Sequence, residues 1–235
     1  MAISPARRIA FEVLRRVEAE SAYASDELHA SLDESIKAND AALATELTMG
    51  VPRWRGLLDF LLERDLKKPV ARLDLAVALA LRLGLYQLRF LGRIPTHAAV
   101  NESVELVKRA RKSSAASLVN AVLRKASGEV DKPATDSLPD GTPPAERLAI
   151  LHSHPRWLVE RWLARFGETA TIALLEANNR TPRLTCSLKN ADAGDVIFGE
   201  LASAHLRVEP GRLLRNAFSV SGGSPSRTKA FGEGA

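Results

Sequence analysis

A chain of 235 residues can bury one substantial core or two smaller ones, and an apolar fraction of 46% excludes global disorder. Aromatic residues supply only 5%, so Ala, Leu and Val must fill the interior, which suits packed helices better than a β-sandwich. The net charge of +5 is unevenly spread: residues 1–127 hold 20 basic and 15 acidic residues, and residues 128–235 hold 13 of each, so a polyanion-binding face is sought in the first half.

The chain opens Met-Ala-Ile-Ser-Pro, then Arg7 and Arg8, without the apolar core of a signal peptide. Ser4-Pro5 predicts a helix start with a capping hydroxyl and proline at the first helical position. Ile9, Val13 and Val17 then form one apolar stripe, and the interspersed Arg7, Arg8, Arg15 and Arg16 are expected to face solvent. A short helix from about Ser25-Asp26 carries Leu28 and Leu32 inward. Asn39-Asp40 is read as the cap of the next helix, which carries Leu43 and Leu47 and is interrupted at Gly50 and Pro52. Trp54, Leu57, Leu58, Leu61 and Leu62 resume the pattern.

Pro69 is expected to start a helix with Leu73, Val77, Leu81, Leu85 and Leu88 on one face. Gly84 inside it costs about 1 kcal/mol relative to alanine, which close approach by a neighbouring helix explains. Thr96 is read as the cap of a helix bearing Val100, Val104 and Val107. A last helix runs from about Ser114 to Ala126, presents Leu118, Val122 and Ala126, and ends at Gly128.

Residues 128–144, rich in Pro, Gly and Asp, read as a linker, and 145–180 as a helical connecting segment. In the latter Leu158, Trp162 and Phe166 share a face, Gly167 ends that helix, and Ile172 and Leu175 point inward from another. From Arg183 the period shortens to two: Leu184, Cys186 and Leu188 alternate with polar residues, as in a half-buried strand. A helix near Asp195–Ser203, strands near His205–Val208 and Leu213–Val220, then Ser221-Gly222-Gly223-Ser224-Pro225 and a polar tail complete a small α+β unit over 181–235. Two or three strands alone are marginal and want a partner. The expected fold is mainly α: an all-helical bundle over 1–127, then a smaller helical and α+β segment. No run approaches the roughly 18 apolar residues of a membrane span, and a cytoplasmic setting is expected.

The chemistry legible in the residues is basic rather than catalytic. Lys108, Arg109, Arg111 and Lys112 precede Arg124 and Lys125 on the next helix, and a hairpin of the two helices can bring these charges into one patch, with Ser113-Ser114 at a helix start as further phosphate donors. Ordinary solvated helix surface is the alternative. Asn120 is either a donor to RNA or a helix–helix contact. His152 and His154 are two residues apart and so do not share a helix face, His97 falls in a first helical turn, and no metal site is assigned. No nucleophile elbow or phosphate-binding loop is present, Gly222-Gly223-Ser224 lacking the spacing. Cys186, the single cysteine, excludes an internal disulfide, and its strand predicts a buried, inert thiol.

Three stretches, taken together, resemble a known family. They are Ala41-Ala42-Leu43-Ala44-Thr45-Glu46-Leu47 with Gly50 and Arg53-Trp54-Arg55; Arg82-Leu83-Gly84-Leu85-Tyr86-Gln87-Leu88 with Ile94-Pro95-Thr96-His97-Ala98-Ala99-Val100-Asn101-Glu102; and Val119-Asn120-Ala121-Val122-Leu123-Arg124. In order and spacing they are similar to the NusB-like N-terminal domain of RsmB/Sun-type 16S rRNA cytosine-C5 methyltransferases, over about residues 5–127. Pro155-Arg156-Trp157-Leu158 and Asn178-Asn179-Arg180-Thr181-Pro182 resemble the segment that joins this domain to the catalytic one. Where relatives commonly show arginine–aspartate–arginine before Ala42, this chain has Asn39-Asp40-Ala41, two positive charges fewer.

The resemblance implies an RNA-binding NusB-like domain, then a small α/β subdomain that packs against a methyltransferase core following this chain. That core would bind S-adenosylmethionine and supply two catalytic cysteines; Thr185-Cys186 stands too early and in the wrong context for that role. No catalytic, metal or cofactor residue is therefore assigned, the chain alone is expected to be inactive, and the expected partner is RNA, 16S rRNA in particular. The RNA-binding candidates are Arg7, Arg8, Arg53, Arg55, Lys108, Arg109, Arg111, Lys112, Asn120, Arg124 and Lys125. A NusB-like transcription-antitermination or protein-interaction module is the alternative.

Overall fold

The computed structural model describes residues 3–33, 35–190, 193–223, 225 and 228–234. They form two compact units, one up to Asn179 and one from Arg180. The first carries helices α1 (Pro5–Glu20), α2 (Ala24–Ser31), α3 (Ala38–Arg53), α4 (Arg55–Leu66), α5 (Leu75–Phe90), α6 (Thr96–Arg109), α7 (Ala116–Ser127), α8 (Pro144–Leu151) and α9 (Arg156–Asn179).

The bundle is built around α5. Every residue from Ala76 to Gln87 is buried, because α1, α3, α4, α6 and α7 pack on it from all sides. A helix apolar on one face would leave the other wet; here the reverse side is lined by small alanines that admit neighbouring helices. Gly84 is such a contact point: a methyl group there would strike Leu123 of α7 and Ser103 of α6. Close helix approach thus accounts for this glycine.

Several helix boundaries differ from the expectations, each for a local reason. Ser4 does occupy the cap position of α1, but its hydroxyl accepts from Arg7 Nη1 at 3.0 Å instead of from a backbone N–H. The third helix starts at Ala38, so Asn39 and Asp40 lie inside its first turn and Lys37 precedes it. Gly50 and Pro52 do not interrupt α3, which continues to Arg53 and breaks at Trp54. A proline so near the end removes only one late hydrogen bond, and Gly50 is there for packing, since any side chain would collide with the Tyr86 ring. Pro69 opens a 3₁₀ turn (Val70–Arg72); α5 begins only at Leu75, with Asp74 accepting from Ala76 N–H at 3.0 Å. Pro95, not Thr96, is the cap of α6. A second 3₁₀ turn (Ser113–Ala115) leads into α7, where Val119 and Leu123 are fully buried and Leu118 is half-buried against the same core.

The proline-rich stretch after α7 is tied to the bundle. Arg64 of α4 donates to Ser137 at 2.6 Å and pairs with Glu129, and Arg89 donates to the Lys132 carbonyl at 3.2 Å. Beyond it α8 packs on α4, and Ser153 accepts from Leu57 N–H at 2.8 Å, serving as a remote cap for α4. In α9 Gly167 adopts φ 76°, ψ 174°, a region nearly closed to other residues, so two helical stretches meet there at a kink. The inward residues of α9 are Val159 and Leu175, packed on Leu148 and Ala149. Leu158 and Trp162 are only half-buried and Phe166 is exposed, so the face expected to be buried is largely an outer one.

The second unit contains β1 (Leu184–Ser187), α10 (Gly194–Ser203), β2 (Arg207–Pro210), β3 (Ala217–Ser221) and the short α11 (Lys229–Gly232). The sheet is antiparallel with order β1-β3-β2, Cys186 opposite Phe218 and Val208 opposite Val220. Its core joins Leu188, Ile197, Leu201, Leu206, Phe218, Val220 and Ala230. Two expectations are corrected here. Leu213 and Leu214 lie in the β2–β3 connection, 97% and 62% exposed, because β3 begins only at Ala217. The supposed polar tail contains α11, whose Ala230 closes the core and whose start is capped by Thr228. Of the glycine-rich stretch, Ser224 lies outside the described residues.

Candidate nucleic-acid interface

The bundle first decides which arginines are free. Arg7 is 6% exposed, against the expectation that it faces solvent: Nε donates to Gln87 at 2.6 Å and Nη1 to Glu102 at 2.8 Å. Glu102 also accepts from Ser4 N–H at 2.8 Å, so this network ties α1 to α5 and α6. Arg82, 2% exposed, does the same elsewhere, with paired bonds to Asp59 at 2.7 and 2.9 Å and a third to Glu18 at 3.0 Å. Arg55 shares these carboxylates at 3.6 and 3.7 Å. Tyr86 donates to Glu46 at 2.5 Å, and burial together with that carboxylate pushes its phenol far above the ordinary range. Half-buried Arg53 stands near enough to oppose that shift, and Trp54 stacks on Phe90 at 4.8 Å.

The remaining candidates lie on the surface. Arg8 is exposed on α1, away from the others in sequence. On α6 and the turn after it, Arg109 and Arg111 are exposed and carry no ion pair among the described residues, while Lys108 pairs with Glu105 at 2.7 Å. Arg111 has φ 60°, which turns the chain sharply out of α6. Lys112 reaches Asp74 at 2.7 Å; its hydrogen bond holds the Asp74 carboxyl below the usual range. On α7, Arg124 donates to Asn120 at 3.0 Å, so Asn120 is a partner within its own helix, and Lys125 pairs with Asp65 at 2.8 Å.

A hairpin of α6 and α7 does form, yet it does not by itself merge the two clusters. Ser103 and Leu123 meet at Gly84, so Arg124 stands level with the middle of α6, about 10 Å along the axis from Arg109. What bridges the gap is the α4–α5 connection. Lys67, Lys68 and Arg72 are there without ion pairs among the described residues, between Asp65, held by Lys125, and Asp74, held by Lys112. The result is a basic band in which Arg72, Arg109 and Arg111 have no carboxylate partner among the described residues; Lys112 is held in an exposed pair of the kind that exchanges at little cost, whereas Lys125 reaches the buried carboxylate of Asp65. Sequence reading missed Lys67, Lys68 and Arg72. The aspartate cap at Asp74 marks the chain reversal after α4, and the pair with Lys112 sets that reversal beside the end of α6.

The chemistry of the second unit is of a different kind. A cavity of about 550 Å³ opens beside β1 and α11, lined by residues that include Leu184, Cys186, Lys189, Phe218 and Phe231. Cys186 is half-buried there, and burial raises its thiol pKa, which disfavours the nucleophilic thiolate. None of the described lining residues is a carboxylate, the group that holds ribose hydroxyls in nucleotide-type sites. The described lining does not fit S-adenosylmethionine. His154 is fixed by its Nδ1 contact to the His152 carbonyl at 2.6 Å, and burial lowers the pKa of His152. No helix among the described residues is long and apolar enough to cross a membrane.

Residues 4–127, which hold the helices of the bundle as far as α7, match the model of the NusB family, and the chain belongs to that family. Residues 154–224 match the Methyltr_RsmF/B-like, ferredoxin-like domain, a span that begins before α9 although α9 packs within the first unit. A Mycobacterium tuberculosis protein that bears a methyltransferase name is 36% identical over 99% of this chain and 51% of its own length. The ribosomal RNA small subunit methyltransferase B assigned in Bacillus subtilis is 32% identical over 97% of this chain and 50% of its length. The solved structure of PH0851 superposes with a TM-score of 0.72 at 18% identity, covering 100% of this chain and 52% of that one, a likeness of fold. The chain thus spans about half the length of these relatives.

Proposed function

We propose that this chain is the RNA-binding, non-catalytic portion of a cytoplasmic, S-adenosylmethionine-dependent methyltransferase that acts on cytosine C5 of 16S ribosomal RNA. The observation that carries this reading is the pairing, in one chain, of a NusB-family bundle with an RsmF/B-like ferredoxin-like domain. The basic band then supplies what the role requires: uncompensated guanidiniums that contact phosphate and orient the RNA, while base selection and extrusion belong to the catalytic part. Arg8, Arg109, Arg111, Lys108, Lys112, Arg124 and Lys125, with Lys67, Lys68 and Arg72 added, are the proposed contacts. Arg7 serves the interior instead.

The match of 4–127 to the NusB family also favours a second reading, a transcription-antitermination or protein-interaction module. It leaves residues 154–224 without a role. The two separate in one titration series. The first expects the pure chain to bind undermethylated 16S rRNA fragments and to transfer no label from S-adenosylmethionine. Tighter binding to a short antitermination RNA with a ribosomal-protein partner, or enzyme-dependent methylation at C5, contradicts it.

A further inference from the structure

The first half of α9 carries an aromatic and cationic surface that the bundle core does not use. Val159 turns inward, and the helical period then sets Trp157, Arg161 and Arg165 outward at four-residue spacing, with Leu158 and Trp162 along the flank. Trp157 is 62% exposed and Phe166 49%, and these six side chains line a shallow cavity of about 340 Å³. The Arg165 guanidinium stands 5.9 Å from the Phe166 ring centre. Neither Arg161 nor Arg165 has a carboxylate partner among the described residues, whereas their neighbours Arg147 and Arg156 pair with Glu168, Glu146 and Glu160. The face ends sharply at the Gly167 kink.

Exposed rings beside unpaired guanidiniums, with no acid among the described residues that line the cavity, complement a polyanion that also offers flat apolar surfaces. Unpaired RNA is such a ligand: its bases stack on aromatic and guanidinium planes with little regard to sequence, while its phosphates take the charge. A duplex hides its base faces. We infer that the outer face of α9, from Trp157 to Phe166, is a binding site for single-stranded RNA, with bases stacked on Trp157 and Phe166 and phosphates on Arg161 and Arg165. This rests on the RNA-binding reading above and adds a contact of another kind, since the basic band takes the backbone of any strand.

The test titrates the full 235-residue chain with a fluorescent oligouridine of about 12 nucleotides and with a duplex RNA of equal length. Trp157→Ala combined with Phe166→Ala changes exposed side chains, and an unaltered thermal melt verifies the fold. The pair is expected to weaken oligouridine binding about tenfold or more, leaving duplex affinity within about twofold. Arg161→Gln with Arg165→Gln is expected to lower the logarithmic salt slope for oligouridine by about 0.7 for each phosphate no longer neutralised. Unchanged oligouridine affinity in the aromatic variant overturns the inference. So does an equal loss for both RNAs, and so does altered self-association in sedimentation without any change in RNA affinity, the mark of a protein-docking face. If the parent chain binds neither RNA, the RNA-binding reading itself has failed; if it binds both and the aromatic variant does too, only the α9 site has.

Discussion

Arg82 sits between two carboxylates in the centre of the bundle, and its motif neighbours have similar duties. Within Arg82–Gln87, Gly84 admits Leu123, Tyr86 ties α5 to Glu46 of α3, and Gln87 holds Arg7. The most distinctive stretch of sequence is therefore scaffolding, and the proposed RNA contacts lie outside it. Arg82→Met, which strands Asp59 and Glu18, is expected to cost about 3 kcal/mol, near the lower end for a broken buried pair because both acids remain partly open to water. A shift of the urea midpoint at constant m-value checks this, and an unchanged midpoint contradicts it. The packing role of Gly84 was legible from its position in a strong apolar pattern. The burial of Arg7 was not: its partner Glu102 lies 95 residues away, and local periodicity carries no record of so distant a pairing.

At the scale of elements, helix existence followed from the 3.6-residue period, and the ends did not. Asp74 illustrates why. A proline at 69 and an aspartate at 74 both signal a helix start, and the structure uses the first for a 3₁₀ turn and the second for α5. Asp74→Ala is expected to cost about 1 kcal/mol through the lost cap. Asp74→Asn keeps a cap and loses the Lys112 ion pair, which separates the two roles. Because that bond lowers the carboxyl pKa in the folded state, its stabilisation is complete above the unfolded value of about 3.9 and is lost as pH falls through the folded value. The asparagine variant is expected to lose less stability on acidification than the parent, as read from thermal melts across that range; parallel acid profiles contradict the assignment. In the second unit the alternation of Leu184, Cys186 and Leu188 gave β1 correctly, whereas Leu213 and Leu214 imitate a strand start and fall in an exposed connection. Apolar residues in a loop carry no periodic signal that distinguishes them from an edge strand.

Across the whole molecule, charge distribution located the basic half but not the band. Counting Lys and Arg points to a region, and only the ion pairs show which charges are already engaged. Lys112 and Lys125 are held by Asp74 and Asp65, while Arg72, Arg109 and Arg111 are not held by any carboxylate among the described residues. The two clusters expected to converge through the α6–α7 hairpin are joined instead through the α4–α5 connection, a neighbourhood set by tertiary packing. The family assignment came from motif order and rests on both domain matches. The most direct test of RNA binding through the band is the salt dependence of affinity for a 16S rRNA fragment, measured for the parent chain and for Arg72→Glu, Arg109→Glu and Arg111→Glu combined. With three phosphates no longer neutralised, the logarithmic slope is expected to fall by about 2 to 3, with weaker binding at every salt concentration; an unchanged slope and affinity in the folded variant contradicts the account.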